Sequence, residues 1–393
     1  MPLTATTPAG HRQILTDDLL GTIRSRAAAV DAENVFPFDD LADLRAAGYL
    51  TALVPEEFGG AGLTIEEIAL EQARLAGAAP ATALAVNMHQ IWLGVARHVH
   101  AGGDASCDFL FTDAMAGEVF AFGVSEAGND LVLFGSISEA APQSDGCYAF
   151  TGTKIFTTLG PAWTRFGTFG ADRSDPASPV NVWAFLDRDA GGITVKDDWD
   201  TLGMRGTQSR TTVLDGAPAR PERVVRRVAP GPTDDPFVMG IFLTFEILLA
   251  AVYYGIGQRA IEVAVELVQK RTSVKNAGAP YAHDPDIRWR LADAAIEQDA
   301  VREHLLSLAR DLDARADRPL WMPQASSLKS HATEVALRTV EKAIRASGGS
   351  SYRSSNELSR LYRDVAAGLF HPSDDESVHA AWANALLGPV PKP

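Results

Sequence analysis

Residues 242–274, FLTFEILLAAVYYGIGQRAIEVAVELVQKRTSV, read as one long helix whose first half has no polar face. Such a helix must be covered on every side, by lipid or by the rest of its own chain. Its apolar stretch, IFLTFEILLAAVYYGIG at 241–257, is short of a bilayer span and contains Glu246. It is read as the buried core helix of a globular fold. A chain of 393 residues, 46% hydrophobic and 22% charged, is long enough to build two or three domains around it. The net charge of −15, with no dense Lys/Arg block, argues against nucleic-acid or anionic-membrane binding. Cys107 and Cys147 provide neither a disulfide framework nor zinc spacing, so a reducing cytoplasm is expected. The N-terminus, MPLTATTPAGHRQILTDD, lacks a basic segment leading into an apolar one and is read as carrying no leader.

The periodicity of apolar residues divides the chain into three blocks, expected as domains at 1–118, 119–228 and 229–393. Residues 15–118 space their apolar side chains by three and four. The pattern runs through ILTDDLLGTIRSRAAAVDAENVFP and FDDLADLRAAGYL and then, after the Gly-rich VPEEFGGAG, through TIEEIALEQARLAGAAPATALAVNMHQIWLGVARHVH as one run. From 119 to 228, short β-branched or aromatic runs alternate with turns: VFAFGVSE, CYAFTGTKIFTT, TRFGTFGA, VNVWAFLDR, GITVKDDW and RTTVLDG. That spacing predicts an antiparallel β domain, with a turn at Asp145-Gly146. The last block returns to helices, with a start at Asp284-Pro285, a stop at Gly348-Gly349 and an expected frayed tail, GPVPKP. The expected fold class is a multi-domain α+β protein: an N-terminal helical domain, a central antiparallel β domain and a C-terminal domain resembling a four-helix bundle.

Few residues declare chemistry on their own. Gly255-x-Gly257 lies inside a helical pattern and reads as close packing, not as a dinucleotide fingerprint. Asp374, Asp375 and Glu376, with His371 and His379 nearby, read as the capped, acidic first turn of the last helix in preference to a metal site. Glu246 among Phe, Ile and Leu would lose solvation, which raises a carboxyl pKa and suits proton abstraction; the bland reading turns it to solvent or to an Arg. In FGVSEAGND (122–130), Ser125, Asn129 and backbone amides could grip an anion or the edge of a polar ring, or form a plain turn.

Taken in order, six segments resemble the acyl-CoA dehydrogenase family of flavoproteins: LVPEEFGGAGLTIEE, FGVSEAGND, FTGTKIFTTLG, LGMRGTQSRTTVLDG, RASGGSSY and RLYRD. The resemblance covers roughly residues 15–388. It implies FAD as cofactor, held where the β domain meets the C-terminal helices, usually in a tetramer. By motif position, Phe122, Val124 and Ser125 would border the isoalloxazine, and Phe156, Thr157 and Thr158 would lie on its other side. Arg271, followed by Ser273, matches an Arg that meets the pyrophosphate of a neighbouring subunit's flavin. Arg345, Gly348 and Gly349 match the segment near the adenine, and Asp374 stands where a Thr of the family would.

The family's usual base is a Glu beyond the Arg-Asp pair. Counting from Asp364, that place holds Pro372, inside RLYRDVAAGLFHPSDDES. A minority of the family carries the Glu on the first long helix of the C-terminal domain. Glu246 falls one residue from that position, about 100° around the helix, and is the candidate base, with Asp375 and Glu376 behind it. The resemblance implies α,β-dehydrogenation of an acyl thioester, on CoA or an acyl-carrier protein, with electron-transfer flavoprotein as an electron acceptor. The missing base opens two other readings: a flavin-dependent monooxygenase served by a flavin reductase, or a partner subunit without catalysis.

Overall fold

The computed structural model describes residues 11–390; the N-terminal residues read above as free of a leader fall partly outside that range, as do the last three of the tail. The first helices are α1 (Asp17–Glu33), α2 (Phe38–Ala46), α3 (Ile65–Ala78), α4 (Pro80–Ala101) and α5 (Phe109–Met115). A Thr64–Glu67 capping box starts α3. The run expected to continue unbroken from Thr64 to His100 is in fact two helices. Pro80 has no N–H to donate and opens α4 at its first turn, with Ala79 extended before it.

The strands are β1 (Phe120–Gly123), β2 (Glu139–Pro142), β3 (Tyr148–Thr157), β4 (Arg165–Asp172), β5 (Val180–Asp187), β6 (Ile193–Val195), β7 (Arg210–Ala219) and β8 (Val224–Val228). They form one sheet in the order β6-β7-β3-β2-β4-β5-β8, with β1 paired to β4. Antiparallel pairing prevails, as expected, but β1 and β2 both run parallel to β4, which the alternation pattern does not disclose. The pattern also missed β2 and β8, whose residues EAAP and VVRRV carry little alternation. The predicted turn is present, with Gly146 at φ +84°.

The last block holds α6 (Pro236–Lys270), α7 (Pro285–Asp313), α8 (Trp321–Ser347), α9 (Glu357–Val365) and α10 (Asp375–Leu387). Asp235 and Asp284 cap α6 and α7 with their carboxylates, each ahead of a Pro. Gly348, at φ +76°, stops α8 where the sequence put the stop.

The apolar helix α6 is covered by protein on all sides: α3 and α4 from the first block, α7 and α8 from the last. Small residues set these distances. A Cβ on Gly255 would lie 2.1 Å from the Ala73 carbonyl oxygen on α3, and one on Gly257 would lie 1.9 Å from Gln298 on α7. The Gly-x-Gly pair is thus a packing device. Gly94 on α4 faces Thr244 in the same way, so both helical blocks share one core. Gly255→Ala should cost about 1–3 kcal/mol through overpacking against backbone that has no room to yield. Chemical denaturation of the variant, beside Gly77→Ala, whose Cβ meets nothing closer than 3.6 Å, checks this.

Candidate functional site

At the end of β1 the chain leaves the sheet through Gly123, where a side chain would collide with the Phe166 ring. The next residues, 124–138, are tied down from within. Glu126 is buried, and its carboxylate takes hydrogen bonds from Lys154 Nζ at 2.6 Å, Ser136 Oγ at 2.7 Å and the amides of Ile137 and Ser138 at 2.9 and 3.0 Å. Burial works against ionisation of Glu126, but Lys154 and these donors hold its carboxyl well below the usual range, to about 2. Leaving either charge buried without the other would cost about 3–5 kcal/mol. Val124 is buried inside this loop, while Ser125 stays exposed with its carbonyl on the Ile155 amide at 2.9 Å.

Ser125 is thereby held beside the end of β3, where a bulge between Lys154 and Thr157 breaks the alternation. Phe156 takes φ +55° and turns outward, 58% exposed, with its edge toward Trp199. Thr157 turns inward, and its buried hydroxyl has no partner in the structure. Thr158 Oγ1 lies 2.9 Å from Ser209 Oγ, which lies 2.8 Å from Thr207 Oγ1, which donates to the Met204 carbonyl. The structure therefore brings Ser125, Phe156, Thr157 and Thr158 to one edge of the sheet.

Phe122 extends this edge toward α6. Its ring stacks on Phe245, with centroids 5.7 Å apart, and tilts against Trp92 at 5.0 Å. Phe245, not Glu246, is the residue that α6 presents to β1, and the one-residue offset in the sequence survives folding. Glu246 is turned into the seam between α6, α8 and residues 368–373, only 1% exposed. Its Oε1 accepts from Ser373 Oγ at 2.7 Å, and Oε2 has no partner. Burial raises its carboxyl pKa, against the pull of the Ser373 hydrogen bond and of Lys329. Ser373 and Lys329 line a cleft of about 180 Å³ whose other walls include Glu334, Asp374, Asp375 and Glu376; Glu246 is not among its lining residues. Asp374 caps α10, accepting from the Ser377 amide at 2.9 Å, and Asp375 accepts from Ser330 Oγ at 2.9 Å. His371 lies half-buried between these, with Nδ1 2.9 Å from the Tyr253 hydroxyl of α6. Burial, then the charge of Lys329, lowers its imidazole to about 3, so it is neutral at physiological pH.

A second group sits at the far end of α6. Arg271 caps the helix, lies over the Tyr281 ring and donates to the Ser347 carbonyl beside Gly348. A Cβ on Gly348 would meet the Arg271 guanidinium at 3.3 Å, whereas Gly349 has open space. Ser273 accepts the Asn276 amide in the turn that follows. Arg345 stands apart, paired with Glu341 one helical turn away on an exposed face. Along α6, Phe245 and Arg271 are about 39 Å apart at roughly 1.5 Å per residue. The two groups do not meet within one chain.

The RLYRD and GMR segments meet each other. Asp364 is buried and accepts the Met204 amide at 2.6 Å, Arg363 pairs with Asp31, and Gly203 lies against the Arg363 carbonyl. Several of these residues escaped the sequence reading. Lys154 shares the inward parity of Phe150 on β3, and Lys329 lies on the apolar stripe of α8 with Ala325, Ala332 and Ala336. A lysine at such a position is the signal that could have found both.

Residues 19–107 match the description "Acyl-CoA dehydrogenase, N-terminal domain" and residues 247–375 match "Acyl-CoA dehydrogenase, C-terminal domain". An isovaleryl-CoA dehydrogenase of Oryza sativa is 30% identical over 88% of this chain and 82% of its own length. An L-evernosamine nitrososynthase of a Micromonospora species is 29% identical over 93% and 87%. Among solved structures, KijD3 in complex with FMN and a dTDP-linked amino sugar superposes with a TM-score of 0.83 at 25% identity, over 94% of this chain and 91% of that one.

Asp364 gives a pH-dependent test of this geometry. Burial raises its folded-state pKa to about 6, above the ordinary 3.8. Between those values the folded chain holds a proton that the unfolded chain has released, so this group's contribution is full at low pH and lost as pH rises through 6. Asp364→Asn keeps an acceptor for the Met204 amide and should flatten that fall, by about 2–3 kcal/mol between roughly pH 4 and 7. Urea unfolding of both proteins across that range measures it.

Proposed function

The chain belongs to the acyl-CoA dehydrogenase family of flavoprotein oxidoreductases, and we propose that within it the chain works as a flavin-dependent oxygenase. One observation carries this reading. Where the family's base is expected, this chain places Pro372, next to His371, and its nearby buried acid, Glu246, is turned away from the aromatic wall of β1 and closed off by Ser373. A base must reach the hydrogen it removes. A half-buried, neutral imidazole offers one N–H and one lone pair, and suits a hydrogen bond to a polar group, or relay of a proton taken up at the lone pair as the N–H is given up, better than removal of a carbon-bound hydrogen. Relatives named as nitrososynthases support the same direction.

The residues at the sheet edge fit a flat ring. Phe122 and the outward Phe156 offer apolar cover, and the Thr158–Ser209 pair offers hydrogen bonds at its edge, while Thr157 turns inward, away from it. Bound there in reduced form, a flavin supplies the electrons that activate oxygen. Ser125 and Thr158 would orient the ring, the Glu126–Lys154 pair keeps the loop that carries Ser125 in place, and the neutral His371 would relay a proton, taking one at its lone pair as it gives up its N–H. Arg271 and Gly349 offer a cation and open backbone to a phosphate. About 39 Å separates them from the ring edge, so they would serve a flavin held mainly by a second copy of the chain. Arg345, spent on Glu341, and Asp374, spent on its cap, have lesser parts.

A second reading, α,β-dehydrogenation of an acyl thioester with Glu246 as base, draws on the unpartnered Oε2 and raised carboxyl pKa of that residue. The two readings separate in one set of spectra. Flavin-loaded protein should stay yellow when mixed anaerobically with a panel of acyl-CoAs. When reduced flavin is supplied, it should consume oxygen faster with amine or aromatic substrates, and His371→Asn should lower that turnover by about 10²–10⁴-fold. Anaerobic bleaching by an acyl-CoA, lost in Glu246→Gln, would instead establish the dehydrogenase.

A further inference from the structure

Lys329 is 1% exposed, in the first third of α8, and among the described residues no carboxylate lies within hydrogen-bonding reach. Its ammonium group donates to three backbone carbonyls: Gly368 at 2.8 Å, His371 at 2.5 Å and Ser373 at 3.0 Å. An ammonium has three donors and no acceptor. All three are used, and a neutral amine would turn a lone pair toward a carbonyl, so the geometry selects the charged form. The same segment is tied from the other side. Ser373 Oγ donates to Glu246 on α6 and lies 3.1 Å from Ser326 Oγ on α8. At its start, Gly368 fits because a Cβ would strike Thr333 on α8 and the Tyr253 ring on α6. Residues 368–373 are thus threaded between two helices and gripped at both ends and in the middle.

We propose that Lys329 and Glu246 are positioning residues, a charge-compensated clamp that sets the path of residues 368–373 and so the place of His371. Burial is the larger effect on each, raising the Glu246 carboxyl and lowering the Lys329 ammonium, and the attraction of opposite charges across the seam offsets part of it. The charged groups that act on Lys329 besides Glu246 are Glu334 on α8 and Asp374 and Asp375 at the start of α10; Asp364 at the end of α9 acts on Tyr253, whose hydroxyl is in direct contact with His371. The nearby positive charge of Lys329 disfavours a second proton on His371, so the clamp fixes its charge as well as its position. The role of the clamp in turnover rests on the oxygenase reading; its hold on the segment does not.

Two measurements on the full-length, flavin-loaded protein test this. Lys329→Met alone leaves Glu246 buried without its counter-charge and can fail to fold, so the main variant is Lys329→Met/Glu246→Leu, an apolar pair of similar volume. By hydrogen–deuterium exchange, residues 366–376 should exchange about tenfold or more faster in the double variant, while α6 and α8 keep their protection. The His371 ionisation in turnover should move up in pH relative to the parent, because the Lys329 charge is gone and the loosened segment lets water reach the ring. Unchanged exchange in the segment overturns the clamp. Faster exchange with an unmoved pH profile overturns its link to His371. If the parent shows no oxygenase turnover, the oxygenase reading fails, and exchange alone still decides the clamp.

Discussion

The burial of α6 is the constraint on which the rest of the structure depends. A helix of 35 residues with no polar face through its first half cannot be left at a surface, and both helical blocks are organised around covering it. Because α3, α4, α7 and α8 all pack on it, its rotation about its own axis is fixed, and with it the direction in which each of its side chains points. Phe245 meets β1, Glu246 and Tyr253 meet the segment ahead of α10, and Arg271 caps the far end. These groups take their bearing from that one element.

Buried polar sets interrupt this apolar frame at a few places. Glu126 with Lys154, Glu246 with Lys329, and Asp364 with the Met204 amide are each buried, and each joins elements distant in sequence. The first fixes the loop after β1, the second the segment carrying His371, the third the turn before β7. An unpaired buried charge is far more costly than a paired one, so these sets act as register marks: the segments fit one way or leave a charge exposed to hydrocarbon.

The helical blocks, the helix starts at Asp284-Pro285 and the stop at Gly348 were legible in the sequence because each rests on local chemistry. The break at Pro80 was equally local and was passed over because the apolar spacing continues across it. Strands β2 and β8 were not legible: their pairing is decided by neighbours, not by their own pattern. The sheet-edge residues Ser125, Phe156, Thr157 and Thr158 could be named from motif order, but the bulge that turns Phe156 outward and Thr157 inward depends on the pairing of β3 with β7. His371 and Lys329 were hidden for another reason. Each gains meaning only from a partner more than forty residues away, Lys329 gripping His371 and His371 reaching Tyr253.

The close approach of Gly255 and Gly257 to their neighbours bears on how such proteins diverge. Turning α6 by one residue's worth of angle would drive bulky side chains into the Ala73 backbone and into Gln298, so no breathing motion can swing the acid at 246 into the place held by 245. A carboxylate can therefore pass between those two chambers only by substitution at both positions, not by any motion of the folded chain.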